Sequence, residues 1–169
     1  NEILQNLLYK ATSEEADSQE TTTRESVTSA PLSYAQTGVY FDCLKNPLST
    51  IYNIPCLLTY PEGTDAHKLA KAVSQVISCH PEMSVYFEAQ ENGIIQSIAS
   101  GLSIEIPVCT MSDDELAAYK KDFVRPFNLQ KAPLYRFEVV QTPQAVHLLM
   151  DVHHLIFDGG SVDLFIRQI

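Results

Sequence analysis

Two neighbouring segments, residues 134–140 and 145–153, each alternate apolar with polar side chains, and only a short stretch holding Thr142-Pro143 divides them. Period-two alternation is the mark of a strand with one buried face, and a turn between two such runs makes an antiparallel hairpin. Taking residues 141–144 as the turn pairs Val140 with Ala145 and sorts the side chains onto two faces. One face carries Tyr135, Phe137, Val139, Val146, Leu148, Met150 and Val152 and ends at His154. The other carries Arg136, Glu138, His147, Asp151 and His153. A face so rich in large apolar residues has to be covered, so the hairpin demands a second layer.

The rest of the chain supplies strands and covering helices. Ser33 followed by Gln36 is a capping-box pattern, and Val39, Tyr40, Cys43 and Leu44 give an apolar stripe up to Asn46-Pro47. An extended segment is expected at 52–60, ended by Pro61-Glu62-Gly63. Ala66, Leu69, Ala70, Val73, Val76 and Ile77 then recur at helical spacing until His80-Pro81. Residues 84–88 and 94–98 read as a second hairpin around Glu91-Asn92-Gly93, and 104–109 as another strand. Ser112 with Glu115 caps a helix through Phe123, closed by Pro126. Strands alternating with helices predict a mixed β-sheet covered by helices.

With 169 residues and 45% hydrophobic content, the chain can bury one sizeable core. A charge of −10, from 21 acidic against 11 basic side chains, excludes a phosphate-tracking surface, so no nucleic acid is expected as a partner. No apolar run is long enough to span a membrane, and the N-terminus lacks the features of a secretory signal, so a cytoplasmic protein is expected. Cys43, Cys56, Cys79 and Cys109 show no Cys-x-x-Cys spacing and read as free buried thiols rather than a zinc or redox site. Residues 1–10 place Ile3, Leu4, Leu7 and Leu8 on a helical stripe read as the end of a preceding domain. Residues 11–30, rich in Ser, Thr, Glu and Asp, read as a linker, so residues 1–30 form an N-terminal segment and interdomain linker and 31–169 the folded unit. At the other end, Val162, Phe165, Ile166 and Ile169 form a helical stripe with no capping residue, and a longer protein is expected.

Chemistry concentrates at 151–161. If His154 sits at the rim of the apolar face, partial desolvation keeps its imidazole neutral and able to accept a proton. Asp158-Gly159-Gly160-Ser161 falls where the strand gives way to the last helix, a place where glycine permits a tight turn and Asp158 can accept backbone N–H bonds. A histidine pair is also compatible with a structural role or half of a metal site, but neighbouring strand residues point to opposite faces, so His153 and His154 do not readily share one ion.

The string His153-His154-Leu155-Ile156-Phe157-Asp158-Gly159 resembles the HHxxxDG signature of condensation domains of nonribosomal peptide synthetases. Leu32-Ser33-Tyr34-Ala35-Gln36 resembles their LSxAQ opening, and Arg125-Pro126-Phe127-Asn128-Leu129 with Ala132-Pro133-Leu134-Tyr135-Arg136 their PFDL...PLxR stretch. Covering residues 31–169, the resemblance implies an α/β (α+β two-layer) fold, the N-terminal one of two chloramphenicol-acetyltransferase-like lobes. It implies that His154 acts in amide formation between two phosphopantetheine-tethered substrates, either deprotonating the attacking amine or orienting it and stabilising the tetrahedral intermediate. His153 and Asp158 would hold the shape of the site, and Gly159 would keep a channel to the second lobe open. The implied partners are carrier protein domains, the second lobe and neighbouring synthetase domains; no directly bound cofactor, metal or nucleotide is implied. The family's RHExLRTxF segment falls on residues 79–87, where both arginines are missing, which removes the usual support for Asp158. Asp158 is therefore expected, partly buried, to bond backbone N–H groups at Gly160 or Ser161. Epimerisation-type or ester-forming relatives, and a non-catalytic carrier-docking lobe, are the alternatives.

Overall fold

The structure is a computed structural model that describes residues 28–91 and 93–169. The helical stripe at 1–10 and the linker up to residue 27 lie outside the described residues. Strand β1 (Ser29–Pro31) takes in Ser29 and Ala30. Helix α1 (Tyr34–Lys45) begins at the expected capping box: Gln36 N–H donates to Ser33 Oγ (3.2 Å) and Ser33 N–H to Gln36 Oε1 (3.0 Å). After β2 (Asn53–Pro61), helix α2 (Ala66–Ser78) buries all six residues of its predicted stripe. A short 3-10 turn (Pro81–Ser84) leads into the hairpin β3 (Val85–Gln90) and β4 (Gly93–Ile98). Then follow β5 (Val108–Thr110), α3 (Asp113–Phe123) on the Ser112/Glu115 capping box, β6 (Tyr135–Gln141), β7 (Ala145–His153) and α4 (Gly159–Gln168).

The strands divide into two sheets. The larger has the order β2-β7-β6-β5 and is mixed, antiparallel at β2/β7 and β7/β6 and parallel at β6/β5. The hairpin β3/β4 joins β1 in a separate antiparallel sheet of order β1-β4-β3. Strand β5 is shorter than the expected 104–109, because Pro107 has no N–H for a ladder. The preceding Ile104 gives its carbonyl instead to Ser74 Oγ (2.7 Å).

In the β6/β7 hairpin, Gln141 pairs with Val146 and Val140 with His147, where the sequence suggested Val140 with Ala145. The turn is tighter, closed by Thr142 N–H donating to Ala145 O (2.9 Å). An offset of two residues leaves every side chain on its own face. Tyr135, Phe137, Val139, Val146, Leu148, Met150 and Val152 are accordingly all buried, in one core with α2, Tyr40 of α1, Phe87 of β3 and Phe165 of α4. On the opposite face, Val140 and Leu149 are covered by Leu116 and Phe123 of α3. With cover on both sides, β7 is a stiff support, and its C-terminal end is held in place.

Candidate active site at the end of strand β7

Strand β7 ends at His153, and the two histidines go different ways. His153 is 4% exposed. Its Nδ1 accepts the N–H of Leu155 (3.2 Å), so the ring proton sits on Nε2, which faces Cys43 Sγ of α1 at 3.6 Å. Phe127 stands edge-on to the ring at 5.9 Å between centroids. Burial, with a smaller contribution from neighbouring His154, pushes the His153 pKa down to about 4. This imidazole is buried and neutral.

His154 is exposed, which corrects the desolvated position expected for it. The strand has already ended, and Ile156 N–H donates to His153 O (3.1 Å), folding residues 154–156 into a turn that carries His154 off the apolar face. Two bonds fix it nonetheless. Its backbone N–H donates to Tyr52 O (2.8 Å), and its Nδ1 lies 3.0 Å from Phe157 O. A carbonyl can only accept, so Nδ1 donates, and in the neutral ring the lone pair is on Nε2, for which the described residues offer no partner. A proton acceptor is thus set by tautomer rather than by burial.

Asp158 is the N-cap of α4. Its Oδ1 accepts the backbone N–H of Ser161 (2.8 Å) and the Ser161 hydroxyl (2.7 Å), the backbone arrangement expected for it. The expected partial burial is absent: Asp158 is exposed, and the Ser161 hydroxyl, then the Ser161 N–H, hold its carboxyl below the usual range. Among the described residues no arginine bonds Asp158. The segment without the family arginines reaches the far end of α4 instead, where His80 bridges Glu82 Oε1 (2.8 Å) and Gln168 Oε1 (2.7 Å). Neither Gly159 nor Gly160 adopts a left-handed backbone, so the turn does not need glycine for conformation. A Cβ on Gly159 would meet no heavy atom within 4 Å; what glycine leaves here, next to Asp158, is open space.

The arginine of the PLxR resemblance acts one step behind the histidines. Arg136 is paired with Asp151, which is 0% exposed and also accepts from Asn53 Nδ2 (2.8 Å). Burial pushes the Asp151 carboxyl up, opposed by the bonds from Asn53 and Arg136. The same guanidinium donates to Arg125 O (2.6 Å) and lies over the Phe127 ring at 3.8 Å. Segment 125–127 is thereby pinned against the strand end, and its Phe127 against His153. A cavity of about 440 Å³ opens on this side, between Cys43, Asn46, Phe127, Gln130 and His153, while His154 lies outside its lining. Sequence reading did not find Tyr52, Cys43 or the Arg136–Asp151 pair as parts of the site; only the shared face of Arg136 and Asp151 pointed to the last. The cysteines are all free, Cys79 exposed and the other three half-buried rather than buried.

The condensation domain family matches residues 26–169. This chain belongs to the condensation domain family. Surfactin synthase subunit 2 of Bacillus subtilis is 31% identical over 92% of this chain, and bacitracin synthase 1 of Bacillus licheniformis 31% over 70%. The chain spans only 4% and 2% of those two proteins. Among solved structures, the starter condensation domain of rhizomide synthetase shares the fold with a TM-score of 0.73 at 24% identity, over 83% of this chain and 36% of that one. The first condensation domain of the CDA synthetase does so with 0.72 at 17% identity, over 85% and 39%. The mixed sheet packed with helices is therefore a condensation-domain fold, and the three motif segments of this condensation domain meet at one strand end.

Proposed function

We propose that this chain is the N-terminal lobe of a condensation domain that joins two carrier-bound groups through an amide bond, with His154 as the reacting base. One observation carries the reading: His154 is presented at the end of a strand buried on both faces, with Nδ1 committed to Phe157 O and Nε2 without a partner among the described residues. In the proposed reaction the acceptor amine nitrogen attacks the donor thioester carbonyl, the C–S bond breaks, and the phosphopantetheine thiol leaves. Nε2 accepts an N–H of the amine, either taking its proton outright or holding it in line while the tetrahedral intermediate forms. His153 and Asp158 touch no reacting atom in this account; they fix the loop that bears His154. The open space at Gly159 is the entry for a substrate arm, with the second lobe as its other wall. Carrier protein domains and neighbouring synthetase domains are the partners, and the cytoplasm is the expected compartment. Among the described residues no helix is long and apolar enough to cross a membrane.

The absence of the two arginines favours a second reading, a lobe that docks carriers without catalysis. Against it, Asp158 does not need them, since Ser161 satisfies it. The complete two-lobe domain, incubated with loaded donor and acceptor carrier proteins and followed by mass spectrometry, decides between them. An amide-linked product on the acceptor carrier is expected. Product only with an alcohol acceptor, or carrier binding without product, contradicts the proposal.

A further inference from the structure

Gln36, in the LSYAQ segment, is 8% exposed and lies far in sequence from the histidines. Its Oε1 is occupied by the Ser33 N–H (3.0 Å), which leaves the amide nitrogen to point the other way. That nitrogen donates to Leu155 O (3.0 Å) and to Gln96 Oε1 (3.3 Å), and Gln96, itself 4% exposed, donates onward to Pro31 O (3.2 Å). All three bonds use the amide in one orientation, so the network fixes which end is nitrogen. The peptide groups of Leu155 are therefore gripped from two sides, the N–H by His153 Nδ1 and the carbonyl by Gln36. Leu155 directly follows His154, so whatever places its carbonyl sets the turn that presents the imidazole.

We infer that Gln36 is a positioning residue for His154, tying the start of α1 and the smaller sheet to the reacting loop through the Leu155 carbonyl. The helix-capping function of Gln36 uses only its oxygen. Its nitrogen is spent wholly on the loop and on Gln96, in a buried setting where an unanswered carbonyl is costly. The inference rests on the reading of His154 as the reacting base.

The two functions of Gln36 can be separated. Gln36→Glu keeps an oxygen for the Ser33 N–H, as capping boxes commonly do, but turns an acceptor toward two acceptors. In the complete domain with loaded carrier proteins, Q36E should lower the single-turnover rate by about 10- to 100-fold, the scale of a misplaced catalytic group. The KM for either carrier should stay within about twofold of wild type, as expected when only transition-state placement is lost. Amide exchange across residues 154–158 should quicken while α1 stays protected. Ser33→Ala, which removes a cap but not the Gln36 nitrogen, should lower thermal stability and keep the turnover. A folded Q36E with wild-type turnover, or with unchanged exchange across 154–158, overturns the inference. His154→Ala run alongside distinguishes the cases: if it is inactive while Q36E is unimpaired, only the role of Gln36 falls, and if it is fully active, the reading of the site falls as well. Should Q36E not fold, Gln36→Met, which removes the donor without opposing the carbonyl, is judged by the same two outcomes.

Discussion

At the scale of single residues, the two adjacent histidines differ in setting, one a buried neutral ring and the other exposed. His153 must stay uncharged inside the fold, whereas the unfolded chain protonates it near pH 6.5. Its folded pKa is depressed to about 4, so the unfolded state binds the extra proton between these values. Stability is full above about pH 6.5, is lost as the pH falls, and levels off near pH 4, with an amplitude of about 3 kcal/mol. Urea unfolding of this chain between pH 7 and 4, compared with His153→Gln, measures it; an equal pH slope in both proteins would contradict a neutral buried His153. Period-two alternation placed the core side chains correctly but misjudged these two. It was carried one residue past the end of the strand for His154, and for His153 it could not register that Cys43 and Phe127, distant in sequence, close over the polar face. The Arg136–Asp151 pair belongs to the same class of long-range fact. Asp151→Ala would leave a half-buried guanidinium unpaired and should destabilise the lobe by about 3–5 kcal/mol, with the double change Arg136→Met, Asp151→Leu recovering much of it. Chemical denaturation of the three proteins tests this, and a neutral single variant would show that the pair is solvated.

At the scale of elements, caps were legible and strand ends less so. Ser33, Ser112 and Asp158 each cap the helix the sequence assigned to them, because a side-chain oxygen placed just before an apolar stripe has only one set of local N–H donors to meet. Strand β5 shortened at Pro107, and the β6/β7 turn tightened, since turn length is decided by hydrogen bonds that spacing alone does not report. For α4, Asp158→Asn keeps an acceptor and should be nearly neutral, while Asp158→Ala should lose about 0.5–2 kcal/mol as a missing cap. Thermal melts of both proteins check this, and equal losses would mean that the negative charge, not the acceptor, matters. Gly159→Leu points into open space in this lobe and should leave its melting unchanged, yet impair amide formation in the complete domain if that space is the substrate entry. A destabilised lobe would instead show that the position is packed.

At the scale of the whole molecule, the three motif segments, at 32–36, 125–136 and 153–159, come together at one end of β7. α1 arrives through Cys43 against His153, the 125–127 segment through Arg136 and Phe127, and the loop after β7 brings His154 and Asp158. In the sequence they carried the resemblance to the family; their contacts depend on sheet order and register, which no single segment encodes. Because the chain spans about a third of the rhizomide condensation domain, the lobe by itself should not form product. The most direct measurement is amide formation by the complete domain with His154→Ala beside wild type, under saturating loaded carriers and with an uncatalysed control. A loss of about 10²–10⁴-fold with the fold intact is predicted, the usual worth of a positioned proton acceptor; turnover equal to wild type would contradict the account.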